Sequence, residues 1–400
     1  MDKKIINMVL PKGFKAAGIH CGLKKKRKDL AVFYSDKLCN VAAAFTRNLV
    51  KAAPVVLCQE TLKKSDSIQA VLVNSGNANC MTGKQGYQDA VKMQKTAAKS
   101  LGLKSHEVLI SSTGVIGRPM DMKPLMEGIP VVVDKLSYDG LSQAAEAIMT
   151  TDQFVKVSSR TFLCAGENVI ISGTGKGAGM IRPDMATMLC YIMTDANISK
   201  KMLKKVLIDV NNDTFNSITV DGDMSTNDTL ILMSNGLAGN KLIKDAGTDY
   251  KIFQDNLKQV MMDLAKMIVS DGEGATKLIE ITIVGAKNSS DAEKAASSIA
   301  NSTLMKCAVH GGDPNWGRVA AACGSSGAKF DPEIMDIKMD NVMFYSKGKV
   351  IKNTKEQKQN VFKNKEVSID VDFHCGTGKS KKYSCDLSKK YIAINAFYTT

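Results

Sequence analysis

The most informative stretch is residues 176–196, KGAGMIRPDMATMLCYIMTDA. It begins with a segment that contains two glycines and continues into an uninterrupted apolar run. The run, Met188–Met193, has the length of a strand and contains no turn-forming residue, so it predicts a β-strand. Thr187 stands directly before this strand and behind the small residue Ala186. Pro183 and the glycines before it suit a tight turn. The stretch therefore predicts a threonine held at the edge of a rigid strand.

The chemistry of such a threonine depends on whether a base lies beside it. If the peptide bond between Ala186 and Thr187 is cut, the new α-amino group comes within reach of the Thr187 hydroxyl. An α-amine has an ordinary pKa of about 7.7–8.0, which suits a general base near neutral pH. A threonine activated by its own amine is an established nucleophile. The alternative is an ordinary threonine at the start of a strand, and the local sequence leaves both interpretations open.

Patterns in the rest of the chain predict a mixed α/β protein. QAVLVNSGNAN, residues 69–79, is typical of a buried strand that enters a polar turn, and apolar and polar residues alternate along Ile279–Ile283. Ser199 is expected to cap a helix, and Ser290 with Glu293 to form a capping box for another. Four hundred residues exceed one ordinary core, so two domains or one large layered domain are expected. The other predicted elements are helices at 141–149 and 257–268 and strands joined by exposed loops after residue 344, and the helix capped by Ser199 has its apolar face between Met202 and Val210.

The charge, cysteine and histidine content of the chain bears on which ligands and which compartment to expect. The net charge of +14 is spread along the chain apart from Lys24–Lys28, which favours a solvated basic surface over a nucleic-acid site. Such a surface would attract anionic substrates. The ten cysteines form no CxxC pair and the four histidines show no metal-ligand spacing, so we expect neither a metal nor a cofactor. No signal peptide or membrane span is recognisable, which predicts a cytoplasmic protein with reduced thiols.

Three short motifs look like ligand-binding loops but lack a required feature. GTGKGAG, residues 173–179, approaches a dinucleotide fingerprint, but no helix is predicted directly after it. GTGKS, residues 376–380, resembles the end of a phosphate-binding loop, but Phe373 stands where that motif requires glycine. DGDMSTND, residues 221–228, offers oxygen ligands without the glycine and glutamate of a calcium loop. None of the three is therefore taken as a site.

A series of motifs in a fixed order resembles the ornithine acetyltransferase family, the self-cleaving glutamate N-acetyltransferases of arginine biosynthesis. The resemblance covers essentially the whole chain. It implies the family's layered α/β sandwich and a mechanism like that of the N-terminal-nucleophile hydrolases. It also implies a precursor that cuts itself between Ala186 and Thr187. The products, Met1–Ala186 and Thr187–Thr400, would associate as α and β chains, usually as α2β2. The motifs that carry the resemblance are PKGFKAAGIHCG, RKDLAVFYSD, VKAAPV, VNSGNANCMTGKQG, SSTGVIG, AIMTTD, KGAGMIRPDMATML, FNSITVDGDMSTNDT, DGEGATK, GGDPNWGR and INAFYTT.

The resemblance also implies a role for each candidate site residue. Thr187 would accept the acetyl group of N-acetylornithine, release ornithine and pass the acetyl group to glutamate. Thr113 and Gly114 match the pair of oxyanion-hole donors. Lys176 would pair with a substrate carboxylate and Glu273 with an ammonium group of ornithine. The residues implied in substrate binding are Thr150, for which Thr151 is the alternative, Lys176, Thr187, Glu273, Asn395 and Thr400.

Two alternatives stay open at the level of sequence. Family members differ in whether acetyl-CoA also serves as a donor, and no motif separates the two groups. The alternative function is a self-processing, aminopeptidase-like hydrolase of related architecture, which passes its acyl group to water. The chain also departs from the usual family motifs at five positions: Arg118, Arg182, Asp184, Phe397 and Thr399. Asp184 bears on the cleavage rate, Phe397 and Thr399 bear on substrate contacts of the tail, and Arg118 stands where an acidic residue is common.

Overall fold

The computed structural model describes residues 9–65, 67–182 and 188–397. Within them the chain forms two compact units, as expected from its length. The first unit contains the described residues up to 216 together with 223–268, and the second contains 217–222 and 269–397. The predicted cut after Ala186 does not coincide with a limit of these units and stays a prediction.

The first unit is built on one mixed sheet. Its described strands form an eight-stranded sheet in the order β4-β3-β2-β8-β7-β6-β5, with β1 also paired to β2. The pairs β3–β4 and β7–β8 are parallel, and the other pairs are antiparallel. The strands are β1 Phe14–Ile19, β2 Leu30–Phe45, β3 Ser67–Asn77, β4 Val108–Val115, β5 Lys156–Cys164, β6 Glu167–Lys176, β7 Leu189–Thr194 and β8 Thr229–Ser234.

Helices cover both faces of this sheet. Along β2, Leu30 and Val32 pack in one apolar core with helical residues, whereas Ala31 and Phe33 pack in a separate core that also includes helical residues. Successive strand residues point to opposite faces, so these two cores lie on opposite sides of the sheet. The helices are α1 Ala53–Lys64, α2 Gly83–Leu101, α3 Met122–Asp134, α4 Leu141–Ile148, α5 Lys200–Asp213 and α6 Thr248–Ser270; α2 and α3 contribute to the first core and α4 to the second.

The strand predicted after Thr187 is confirmed as β7. All of its residues are buried, and it lies between β6 and β8. Because both faces of the sheet are covered, a strand in its interior has no solvent face and reads as a continuous apolar run. The apolar character of residues 188–193 therefore follows from the position of β7 inside the sheet.

The second unit has a smaller sheet of its own, whose described strands run in the order β12-β11-β10-β13-β9-β14. Ile279, Ile281 and Ile283 of β9 pack with alanines of a neighbouring helix, which confirms the predicted half-buried strand. The strands are β9 Leu278–Ala286, β10 Asp336–Met339, β11 Val342–Ser346, β12 Lys349–Val350, β13 Glu366–Asp372 and β14 Gly378–Cys385. The helices are α7 Ser289–Asn301, α8 Thr303–Gly311, α9 Trp316–Gly324, α10 Lys355–Asn360 and α11 Lys389–Phe397.

Local predictions about helix ends are confirmed in one case and wrong in another. Ser199 caps α5, and its side chain accepts a hydrogen bond from Met202 N. The predicted capping box of Ser290 is wrong, because Asn288 caps α7 and accepts from Asp291 N at 2.9 Å. Asparagine and serine are both good N-cap residues, and Asn288, which is nearer to the end of β9, is the N-cap of α7. The region after residue 344 also contains α10 and α11 besides the predicted strands.

The described residues 9–65, 67–182 and 188–397 contain no helix with the length and apolar character needed to cross a membrane. All ten cysteines are free thiols, and most are buried. Cys307 and Cys375 are exposed. The segment 173–176 is the end of β6, so the glycine-rich motif there continues a strand and does not open a helix.

Candidate functional site

Two predicted site residues of the first unit are in direct contact. Lys176, the last residue of β6, donates a hydrogen bond from Nζ to the Thr113 hydroxyl near the end of β4, at 3.2 Å. The residues are 63 positions apart in sequence, and both are buried. The predicted oxyanion donor and the predicted substrate-binding cation thus belong to one cluster.

This cluster borders a small cavity beside the first residues of the strand that follows Thr187. Ala186 and Thr187 lie outside the described residues, but Met188 and Leu189 both line the cavity. The other lining residues bring hydroxyl, amide and carboxyl groups from the segment before β8. The full lining is Thr113, Lys176, Met188, Leu189, Ser225, Asn227 and Asp228.

The conformation of Gly114 explains why glycine is required there. Gly114 has a φ of 135° and lies opposite Gly76 in the parallel pairing of β3 and β4. A Cβ at this position would collide with the Gly76 main chain and lie 2.5 Å from Asn77 N. Only glycine combines that φ with so close an approach of two backbones. The backbone geometry thus explains why residue 114 is a glycine. The role of its N–H as an oxyanion donor stays a prediction.

Asn227 ties the neighbouring strand ends together and was missed by the sequence analysis. Its side-chain amide donates to Ala78 O and Ser112 O, each at 2.7 Å. Ser112 in turn donates from its hydroxyl to Asn74 Oδ1 at 2.5 Å. These bonds hold the main chain directly before Thr113. Asn227 lies in a motif that the sequence analysis considered only as a calcium loop and as part of the family resemblance.

Thr150 is linked to the same cluster through its neighbour Asp152. Asp152 Oδ2 accepts from Thr150 N at 2.8 Å, while Oδ1 accepts from Gly177 N at 2.8 Å and from Lys156 Nζ at 2.7 Å. The Asp152 and Lys156 side chains are completely buried. Burial acts to raise the pKa of the Asp152 carboxyl, but Lys156, Lys176 and the hydrogen bonds outweigh it and hold that pKa well below its usual range. Asp152 is therefore ionised at neutral pH.

The basic run Lys24–Lys28 is not uniformly solvated, which corrects the interpretation from sequence. Lys24 Nζ donates to Met149 O at 2.6 Å, directly before Thr150, and burial lowers the pKa of this ammonium to about 8. Arg27 is exposed, but its Nη1 lies 3.4 Å from Thr150 O. The two cations therefore contact the loop that carries Thr150.

The second unit brings together the other two predicted residues that are described. Glu273 is buried, and its Oε2 accepts a hydrogen bond from Asn395 Nδ2 at 2.8 Å. Asn395 lies on α11, so this part of the tail is an ordered helix. Thr400, the remaining predicted residue of the tail, lies outside the described residues.

The segment around Glu273 is fastened to the start of this C-terminal region. Ser388 donates from its hydroxyl to Gly274 O at 2.6 Å. Asp386 accepts from Thr276 N at 2.7 Å and from Lys277 N at 2.8 Å. Burial tends to raise the pKa of Asp386, but these bonds and those from the Thr276 hydroxyl and His310 lower it overall. The segment that carries Glu273 is thus held in place by hydrogen bonds from Ser388 and to Asp386.

Comparisons with known proteins agree with the resemblance seen in the sequence. The sequence profile of the ArgJ family matches residues 15–400. The chain is 45% identical over 395 residues to the arginine biosynthesis bifunctional protein ArgJ of Caldanaerobacter subterraneus subsp. tengcongensis, covering 98% of each chain. It is also 45% identical over 391 residues to the protein of the same name from Geobacter sulfurreducens, covering 97% of this chain and 99% of the relative.

A solved structure gives the same assignment. The crystal structure of the arginine biosynthesis bifunctional protein ArgJ from Bacillus halodurans is 40% identical and superposes with a TM-score of 0.51. The match covers 52% of this chain and 98% of the solved chain. The family profile, the identity over nearly the full length and the shared fold lead to one conclusion: the chain belongs to the ArgJ family of arginine biosynthesis enzymes.

Proposed function

We propose that this chain transfers an acetyl group from N-acetylornithine to glutamate through an acetyl ester on Thr187, after it has cut itself between Ala186 and Thr187. The observation that carries the proposal is the hydrogen bond between Lys176 and Thr113 in a cavity lined by Met188. A buried cation and a hydroxyl donor thus lie beside the residue that follows the proposed nucleophile. Membership of the ArgJ family supports the same activity.

The proposed reaction has two steps. In the first, the Thr187 α-amine takes the hydroxyl proton, and Oγ attacks the acetyl carbonyl carbon of N-acetylornithine. The amide C–N bond breaks, ornithine leaves with the proton, and the acetyl group remains as an ester on Oγ. In the second, the glutamate amine attacks this ester, the C–Oγ bond breaks, and Thr187 regains its proton. N-acetylglutamate leaves, and no water or cofactor is consumed.

The other residues have roles that suit their chemistry. The Thr113 hydroxyl and the Gly114 N–H would donate to the oxyanion of each tetrahedral intermediate. Lys176 would attract the α-carboxylate that donor and acceptor share, since a charge-assisted hydrogen bond is stronger than a neutral one. Thr150, Glu273, Asn395 and Thr400 would complete substrate binding, with Glu273 facing an ammonium group.

Self-cleavage has support from the length of the Bacillus halodurans chain. That chain is matched over 98% of its length by 52% of this one, so it is about half as long. A cut after Ala186 would give two chains that are each close to half of the precursor. We further propose that these chains assemble as α2β2 in the cytoplasm. The relatives are designated bifunctional, and incubation with acetyl-CoA in place of N-acetylornithine, read by intact mass, tests acetyl-CoA as a second donor.

The test combines intact mass with steady-state kinetics. Purified protein should consist of two chains, and incubation with N-acetylornithine alone should add the mass of one acetyl group to the chain that begins at Thr187. Initial rates with both substrates varied should give the parallel lines of a ping-pong mechanism. Intersecting lines without an acetylated chain would contradict the covalent route. Release of acetate in place of N-acetylglutamate would instead indicate a hydrolase.

Glu273→Gln should weaken binding of N-acetylornithine. The amide keeps an oxygen that accepts from Asn395 but loses the negative charge. A hydrogen bond to a charged group contributes roughly 1.5–3 kcal/mol, so KM for N-acetylornithine should rise about 10- to 100-fold. Glu293→Gln is the matched control, because Glu293 is an exposed carboxylate of the same unit that pairs with Lys382. Equal KM values for the two variants would remove Glu273 from the substrate site.

A further inference from the structure

Asp152 is a buried charged group to which the reaction described above gives no task. It lies in the loop between α4 and β5, where residues 149–155 form neither helix nor strand. No ladder of main-chain bonds therefore fixes this loop. Its position depends on individual bonds, and Asp152 makes three of them.

The three donors that meet at Asp152 come from separate places. The Thr150 N–H belongs to the loop itself, the Gly177 N–H follows Lys176 at the end of β6, and the Lys156 ammonium opens β5. Lys156 is opposite Gly175 in the pairing of β5 and β6, so the main chain that carries this cation is fixed by the sheet. One carboxylate thus connects the loop to the strand end that carries Lys176.

We propose that Asp152 is a positioning residue of the acetyl-transfer site, which fixes Thr150 and Lys176 relative to each other through the main-chain N–H groups of Thr150 and Gly177. The inference rests on the proposed function, because it concerns the two substrate-binding residues of the first unit. This role explains why the position holds an aspartate, although a neutral asparagine would fill the same space.

A carboxylate suits this position because each of the three groups described above that bond to it is a donor. An ionised aspartate offers acceptors only, whereas the asparagine amide would turn an NH₂ group toward an N–H or an ammonium. Asp152→Asn would also leave the Lys156 charge buried without its carboxylate, and breaking a buried pair in this way is strongly destabilising. The single variant therefore mixes a loss of stability with a loss of positioning.

The double variant Asp152→Asn/Lys156→Met separates these two effects. It removes both charges, so no unpaired charge stays buried, and stability should recover. The Thr150 and Gly177 N–H groups still lack a carboxylate. A purely structural ion pair predicts recovery of function together with stability, whereas a positioning residue predicts recovery of stability alone. Asp152→Glu, which keeps the charge but lengthens the side chain, is a third variant that retains the pair.

Asp195→Asn is the matched control. Asp195 is buried in the same unit and accepts from Ile170 N at 2.8 Å and from Lys12 N at 3.1 Å, near the start of β6. It thus also joins two segments through main-chain N–H groups, but at the end of the strand opposite to Lys176. This variant should lose stability and keep its affinity and turnover.

The measurements are the Kd for ornithine by calorimetry, kcat and KM for both substrates, and Tm, on protein whose state of cleavage is verified by intact mass. In the Asp152 variants, including the double one, kcat/KM should fall about 10- to 100-fold, since a misplacement of about 1 Å at a site costs about 10²-fold in rate, and ornithine should bind more weakly. Wild-type affinity and kcat/KM in the double variant or in Asp152→Glu would overturn the positioning role. If the wild type itself transfers no acetyl group, the proposed function fails first, and this role fails with it.

Discussion

Thr187→Ala is expected to yield an uncut chain without measurable acetyl transfer. The variant lacks the hydroxyl that would attack the Ala186 carbonyl, so the α-amine of residue 187 is never released. It also lacks the atom that would carry the acetyl group. Both losses follow from one oxygen, which makes this the largest expected effect of any single substitution in the chain.

The check is a denaturing gel and intact mass beside an acetyl-transfer assay. Wild type should give two bands of similar size, one of which begins Thr-Met-Leu-Cys by N-terminal sequencing. Thr194→Ala is the matched control at the far end of β7, where the Thr194 hydroxyl donates to Ile170 O at 2.8 Å. That variant should be cut and active, with its unfolding free energy lowered by about 1 kcal/mol. A cut or active Thr187→Ala protein would rule out this residue as the nucleophile.

Thr113→Ala is expected to lower the acetyl-transfer rate by about 10²-fold or more, the loss typical of one oxyanion-hole donor. The substitution also removes the acceptor of the hydrogen bond from Lys176. In the proposed mechanism, self-cleavage and transfer would pass through different oxyanions, one on Ala186 and one on the acetyl group. Cutting would free the end of the strand to move, so the two need not occupy the same place. We therefore expect maturation to slow less than transfer.

The two effects separate if the variant matures before it is assayed. The cut fraction is followed by gel over time, and kcat is measured only on fully cut protein. Thr113→Ser keeps a hydroxyl at the same position and should recover most of the rate. A fully cut Thr113→Ala enzyme with wild-type kcat would show that the side chain donates nothing to the oxyanion, leaving that task to backbone groups such as the Gly114 N–H.

The sequence predicted local elements best where one physical signal dominates. The apolar run before Thr194 identified β7, and the Ser199 cap is where the pattern placed it. Asn288 and Ser290 compete for one helix end, and the choice depends on where β9 stops, which a capping pattern does not contain.

The candidate site depended more on the family resemblance and on contacts distant in sequence. The motifs named Thr113 and Lys176, but their contact arises from the assembled sheet, in which several strands separate β4 from β6. Lys24 looked like one member of a solvated run because its partner, Met149 O, lies 125 residues away. No sequence pattern singled out Asp152, since one of its partners is the backbone of Gly177, which a sequence pattern does not place.

The strand order of the first unit has a consequence for how a cut protein holds together. In the order β4-β3-β2-β8-β7-β6-β5, strands β8 and β7 follow residue 187 and are flanked on both sides by strands that precede it. For this sheet, each fragment of a cut chain therefore supplies hydrogen-bond partners that the other needs, and neither contains all of its strands. A precursor folds as one molecule, whereas separated fragments must find each other, so recovery from denaturant becomes dependent on concentration once the bond is cut. The covalent link thus makes assembly of this sheet independent of protein concentration, and hydrogen bonds between the fragments hold the sheet together after the cut.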